Sequence, residues 1–178
     1  MNAIDDKVID GKAHAREQQA PPEARPDAMD APRIEAQEAM VQVVSFFLSG
    51  QEYAFDVADA VEVLKPKEIT KVPRTPGFIK GIISVRGEMV AVFDLRERLG
   101  VLAGDASAHT RSARILIAGA DEVKTGFVVD RMGGVRDYPA ASFENNTEPG
   151  GGFLKGVIRL DGRVINILDI ARLTDLKS

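Results

Sequence analysis

From residue 41 onward, hydrophobic positions come in short runs broken by polar turns. Val41-Gln42-Val43-Val44-Ser45-Phe46-Phe47-Leu48 ends at Ser49-Gly50, and Tyr53-Ala54-Phe55-Asp56-Val57 follows. Ile82-Ile83-Ser84-Val85 and Met89-Val90-Ala91-Val92-Phe93 flank Arg86-Gly87-Glu88. Runs of this length, rich in β-branched and aromatic residues and bounded by turn residues, predict strands and hairpins. Asp94-Leu95-Arg96-Glu97-Arg98-Leu99-Gly100 predicts one or two helical turns, with Asp94 as N-cap and Gly100 as the stop. Val101 to Ser112 has no period and reads as a linker. The order then recurs: Arg114–Gly119 and Gly126–Asp130 as strands, Gly150–Gly152 as a flexible joint, Val157–Leu160 and Val164–Leu168 around Asp161-Gly162, and the Asp-capped turn Asp169–Leu173.

The recurrence is an internal repeat. Phe78-Ile79-Lys80-Gly81-Ile82-Ile83 lies over Phe153-Leu154-Lys155-Gly156-Val157-Ile158 at an offset of 75. From Phe78 to Leu95 six of 18 positions are identical. Upstream, Phe55, Val57 and Val63 match Phe127, Val129 and Val135 at an offset of 72. Two such units predict an all-β fold: two five-stranded barrels related by a pseudo-twofold, with short helical turns. Closure hides the edges that small open sheets would expose. The copies give subdomains of about 41–100 and 113–176.

Residues 1–38 differ from the rest. They hold nine acids and five bases, so the whole formal charge of −4 sits there, and the remaining 18 acids and 18 bases cancel. All ten aromatic residues lie beyond this segment. Without apolar period or aromatics it cannot offset an ordering cost of roughly 1–2 kcal/mol per residue, so it is expected to be a disordered acidic tail, with helix starting only near Ile34–Met40. The neutral remainder has no electrostatic footprint for nucleic acid and suggests no local basic patch. No apolar run is long enough to span a membrane, and the first residues, with Asp5, Asp6, Lys7 and Asp10 and no apolar stretch, are not expected to act as a signal peptide. The absence of cysteine excludes thiol chemistry and cysteine metal sites, and two histidines, His14 and His109, are too few for a histidine-based centre. No cofactor motif is present, and the expectation is a soluble cytoplasmic protein.

Candidate chemistry is sparse. Asp94 and Asp169, one per copy, invite comparison with aspartic proteases, where two carboxylates share a proton. Their contexts, Asp-Leu-Arg and Asp-Ile-Ala, favour an N-cap in each copy over a catalytic pair. Glu62 and Arg86 belong to copy one only, because copy two carries Gly134 and Asp161 at those places. They are either two solvated charges or an ion pair that braces the hairpin against the neighbouring strand.

Taken in order, the motifs Phe46-x-Leu48-x-Gly50-x-x-Tyr53-Ala54, Val61-Glu62-Val63-Leu64, Ile69-Thr70-Lys71-Val72-Pro73-x-x-Pro76, Ile79-Lys80-Gly81-Ile82-Ile83-x-x-Arg86-Gly87 and Asp94-Leu95-Arg96-x-Arg98-Leu99-Gly100 resemble the CheW-type chemotaxis coupling domain. Phe127–Asp130 and Leu154–Asp169 resemble its second subdomain, so the resemblance covers about 41–175. It implies two SH3-like barrels within a CheW-like domain spanning 39–178. It also implies a non-enzymatic adaptor, monomeric outside the array, at membrane-associated chemoreceptor arrays in the cytoplasm. Its partners would be chemoreceptor cytoplasmic tips and the regulatory domain of a CheA-type histidine kinase. By the same resemblance, Glu62 and Arg86 match a family Glu–Arg pair. Ala60, Ile115, Gly126 and Met132 would line a receptor groove between the subdomains, and Lys80 would lie near a kinase-docking face. Ser84-Val85, Ala91 and a short Glu144–Gly152 loop depart from the family pattern. With no receiver or kinase module alongside, a free-standing coupler is expected.

Overall fold

The structure, a computed structural model, describes residues 39–101, 111–120, 123–147 and 152–176. The expected tail, both histidines, most of the linker and most of the glycine joint lie outside the described residues. Among the described residues, eleven strands and two short α-helices run in the order β1 (Met40–Leu48), β2 (Gln51–Asp56), β3 (Ala60–Leu64), β4 (Ile79–Val85), β5 (Glu88–Asp94), α1 (Leu95–Leu99), β6 (Arg114–Ala120), β7 (Val123–Val129), β8 (Arg131–Pro139), β9 (Phe143–Asn145), β10 (Leu154–Leu160), β11 (Arg163–Leu168) and α2 (Ile170–Thr174).

The strands form two sheets, ordered β8-β1-β2-β11-β10-β9 and β3-β6-β7-β5-β4. The repeat and the sheets therefore divide the chain differently. The six-stranded sheet takes β1 and β2 from copy one and its other strands from copy two. The five-stranded sheet takes β6 and β7 from copy two and the rest from copy one. Interchanging the copies maps one order onto the other, with β9 as an addition. The registers map as well. Asn166 lies opposite Tyr53 in the parallel β11–β2 pair, and Ala91 lies opposite Thr125 in the parallel β5–β7 pair. These are the same positions at offsets of 75 and 72. A break at 100–113 is thus a boundary of the repeat and not of a sheet, because each copy's first hairpin is built into the other copy's sheet.

Local chemistry places the elements. Three tight turns carry consecutive positive φ values: Ser49 and Gly50 (48° and 84°), Arg86 and Gly87 (51° and 88°), and Asp161 and Gly162 (51° and 75°). Two left-handed residues in succession match the twist of a two-residue hairpin. Asp94 caps α1 by accepting from the Arg96 amide at 3.0 Å, and Gly100 ends it at φ 66°. Asp169 accepts from the Arg172 amide at 3.2 Å. The bulge in β4 at Lys80 and that in β10 at Lys155 are each followed by a glycine. A Cβ on Gly81 would sit 2.1 Å from the Thr70 carbonyl oxygen, and one on Gly156 would sit 2.5 Å from that of Glu144. Those two glycines let a crossing segment pair with the hairpin, through Thr70 opposite Ile82 in copy one and through β9 in copy two.

The largest core cluster belongs to neither sheet alone. Phe46, Phe55, Leu116, Phe127, Leu168 and Leu173, all essentially solvent-free, pack with Phe93 and Leu95. Phe55 and Phe127, equivalent residues of the two copies, meet with ring centroids 5.1 Å apart. Smaller clusters fill each sheet's own interior, around Val43, Ile158 and Ile165 and around Ile83, Val92 and Ile117. Arg98 clamps the two helical turns together. Its guanidinium lies 4.4 Å from the Phe78 ring centroid and 4.6 Å from that of Phe153, again an equivalent pair, and donates to the Leu173 carbonyl at 3.0 Å.

Two glycine substitutions separate strain from steric overlap. Gly87→Ala meets no atom and carries only the left-handed penalty, about 1–2 kcal/mol. Gly81→Ala, at φ 142° and against a backbone oxygen, is expected to cost about 3 kcal/mol or more. Urea unfolding midpoints should fall in that order, and equal losses would contradict the close-packed crossing.

Candidate functional site

Glu62 and Arg86 are brought together. Arg86 Nη2 donates to Glu62 Oε2 at 3.1 Å. Glu62 is on β3 and Arg86 on the β4–β5 turn, at opposite ends of the strand order β3-β6-β7-β5-β4. The ion pair therefore spans the gap between the sheet's two edges. Glu62 is mostly buried, while the Arg86 side chain is 82% exposed. A pair this open to water contributes about 0–1 kcal/mol, so its effect is to set where an exposed guanidinium stands. Copy two has no such pair, because Gly134 and Asp161 occupy the equivalent places.

The expected groove residues separate. Ala60 and Met132 are equivalent positions at the bulges of β3 and β8, opposite Ala118 and Phe46, and both are partly buried. Ile115 is 2% exposed and belongs to the inner cluster of the five-stranded sheet. Gly126 is buried beside it, and a Cβ there would meet Ile115 Cγ2 at 3.0 Å, Ile117 Cδ1 at 3.3 Å and Val92 Cγ2 at 3.4 Å. Of the four, Ala60 and Met132 reach the surface, while Ile115 and Gly126 lie beneath it. Strand alternation turns Ile115 inward, and Gly126 is small because three aliphatic side chains converge on it.

Lys80 bulges from β4 and is engaged by its own chain. Its ammonium meets the Glu97 carboxylate and lies 3.7 Å from Asp94 Oδ2. Asp94 and Asp169 are each committed to a helix cap. Asp94 also faces Arg96 at 3.6 Å, and Asp169 faces Arg172 at 3.4 Å. Neither has the other as a partner, so the geometry for a shared proton is missing. Among the described residues no group of three or more His, Asp or Glu is placed to hold a metal ion. Beside Ala60, the Asp59 carboxyl is held above the ordinary aspartate range, first by partial burial and then by Asp56, with Lys155 opposing.

Several interactions that join the parts were not visible as motifs. Arg96, with a side chain only 10% exposed, lies 3.4 Å from Asp130, whose other oxygen accepts from the Ser49 amide at 2.8 Å. This links α1, the β7–β8 connection and the β1–β2 turn. Glu52 accepts from Arg163 at 2.7 Å across β2 and β11, and Lys124 pairs with Glu88 at 2.6 Å across β7 and β5. These two pairs occupy equivalent positions with the charges reversed. Comparing charges at the repeat offsets, rather than identities, is the signal that would have found them.

Asparagine tolerates the left-handed conformation better than arginine. Arg86→Asn is therefore expected to leave the thermal midpoint within about 2 °C of the parent, since the pair is worth little, while binding to a partner that reads the guanidinium falls. A drop of several degrees would make the pair a stability element instead.

The geometry has clear counterparts among known proteins. The family model for the CheW-like domain matches residues 42–178. The chemotaxis protein CheW of Thermotoga maritima is 32% identical over 136 residues, covering 75% of this chain and 87% of that one. The CheW of Bacillus subtilis is 27% identical over 144 residues, covering 77% and 88%. The crystal structure of the scaffolding protein TtCheW from Thermoanaerobacter tengcongensis superposes with a TM-score of 0.71 at 30% identity, over 78% of this chain and 94% of that chain. With two barrels of exchanged hairpins, capped turns at equivalent places and a match across the whole folded region, this chain belongs to the CheW-like domain family, whose members here are chemotaxis proteins and scaffolds.

Proposed function

We propose that this chain is a non-catalytic adaptor that couples chemoreceptor cytoplasmic tips to the regulatory domain of a histidine kinase within a chemosensory array. The observation that carries the reading is the Glu62–Arg86 pair. It is an exposed guanidinium held at a hairpin tip by a carboxylate on the opposite sheet edge, present in one copy only. A duplicated fold needs no such pair for stability, since copy two lacks it, so it fits a partner contact. The absence of a carboxylate pair at Asp94 and Asp169 agrees with a protein that works by docking. The chain would act in the cytoplasm at the receptor array, and no helix among the described residues is long and apolar enough to cross a membrane.

A receptor tip built as a helical hairpin needs a surface that takes one amphipathic face. Ala60 and Met132, partly exposed at the two bulges, suit that contact, since the first lets a backbone approach and the second adapts to an imperfect partner. Ile115 and Gly126 would then act from beneath, by shaping the strands. Lys80, held by Glu97, would stand on the kinase-facing side of the same barrel.

Co-sedimentation with a receptor cytoplasmic fragment and kinase tests this. Ala60→Glu and Met132→Glu are each expected to reduce receptor capture at least tenfold with kinase binding retained and the fold intact by circular dichroism. Unchanged capture by both variants would move the receptor site elsewhere.

A further inference from the structure

The balanced charge of the folded region conceals an uneven arrangement of ion pairs. Of the 17 described lysines and arginines, eight have a carboxylate within ion-pair distance. Two others lie over aromatic rings: Arg98 on Phe78 and Phe153, and Arg131 on Phe47. Seven remain without a carboxylate among the described residues. One is Arg136. The other six, Lys65, Lys67, Lys71, Arg74, Arg111 and Arg114, fall on two adjoining segments: the loop leaving β3 and the start of β6. The cations are dispersed along the chain, and the pairing of β3 with β6 brings Lys65 and Arg114 together.

The duplication supplies an internal control for this corner. The last β3–β6 pair is Leu64 with Ile115, so Lys65 and Arg114 leave those strands side by side. In copy two the equivalent residues are Asp137 and Gln42, and they satisfy each other, with Gln42 Nε2 donating to Asp137 Oδ1 at 2.7 Å. Copy one has replaced a bonded neutral–acid pair by two cations. Like charges at opposed cross-strand positions are destabilising, and the barrel does not need them, because its duplicate folds without them. Arg114 uses its guanidinium on the carbonyls of Arg111 and Ala113. Both Lys67 and Arg114 border a cleft of about 410 Å³ whose wall includes the partly exposed Ile69 and Val128 together with Lys80, Asp94 and Arg96.

We infer that this corner of the five-stranded sheet docks an acidic segment of a partner protein. It deepens the adaptor reading, and rests on it, by giving the chemistry of one partner surface. The carboxylates of the partner supply the missing counter-charges, and the aliphatic wall takes an apolar side chain between them. A protein segment fits better than a small anion, because the six cations extend along a ten-residue loop and a second strand and do not converge on one point. A long polyanion fits less well, since the folded region as a whole is neutral.

The test transplants the pair from copy two. Full-length ¹⁵N-labelled chain is titrated with a 20-residue Glu/Ala/Leu helical peptide, its Gln/Ala/Leu counterpart, inorganic phosphate and a 20-nucleotide single strand. The Glu peptide is expected to shift the amides of residues 65, 67–71 and 111–115, more weakly as salt rises. The Gln peptide should not. Lys65→Asp with Arg114→Gln is expected to weaken the Glu peptide at least tenfold and to raise or preserve the thermal midpoint. Arg136→Gln should change neither. Equal peptide affinity in the double variant overturns the proposal, as does phosphate or the oligonucleotide binding the same amides as tightly as the peptide. In co-sedimentation, failure of the parent chain to join receptor and kinase refutes the adaptor reading. A parent that joins them and a double variant that does so equally well refutes only this docking corner.

Discussion

Parallel pairing between strands of opposite copies is the constraint on which the rest of the structure depends. β2 must lie beside β11, and β7 beside β5. Parallel neighbours cannot be joined by a tight turn, and here each pair joins strands from different copies. The consequence is reciprocal. Each copy gives away its first hairpin and receives the other's, and the main aromatic core forms where the exchanged hairpins meet, at Phe55 against Phe127. The ion pairs Glu52–Arg163 and Lys124–Glu88 sit on the same two parallel junctions with opposite polarity. Each junction therefore matches its own partner and would place like charges together if Glu52 faced Glu88 or Lys124 faced Arg163. Such repulsion favours the native assignment of strands over the alternative in which each hairpin stays at home.

A duplicated fold built this way separates structural from functional residues. What both copies keep serves the barrel: the Asp cap, the bulge glycine, the left-handed turn pair. What one copy alone holds is not required to build the repeated unit. Glu62–Arg86, the Arg96–Asp130 bridge, Arg98 between Phe78 and Phe153, and the Lys65–Arg114 corner all belong to copy one or face it. Two of these, the Arg96 and Arg98 contacts, are mostly buried and hold the halves together. The other two leave cations exposed at the surface, where the proposed partner contacts would form. The proposed function thus rests on an asymmetry imposed on a symmetric scaffold.

Much of this was legible in the residues. The hairpins around Arg86-Gly87 and Asp161-Gly162 and the capped turns after Asp94 and Asp169 form where pattern and turn chemistry placed them, because those signals are local. The Glu62–Arg86 contact was readable because copy two lacks both partners. β8 was not, since Gly133, Gly134, Arg136 and Asp137 break the alternation along a strand that lies at a sheet edge with much of its length exposed. The exchange of hairpins left no mark in a repeat alignment, because both arrangements give the same offsets and only non-local pairing distinguishes them. The inward turn of Ile115 and Gly126 was hidden for the same reason. Which face of β6 and β7 is interior depends on the strands they join.

The exchange can be tested by dividing the chain. Residues 39–105 and 106–178 are to be expressed separately and together, with folding read from amide dispersion in ¹H–¹⁵N spectra. Each half alone lacks two strands of the sheet it belongs to and is expected to show the narrow dispersion of an unfolded chain. The mixture is expected to recover the dispersed spectrum of the intact protein. A half that folds cooperatively by itself would contradict the account, because it would show that each copy can complete a barrel from its own strands.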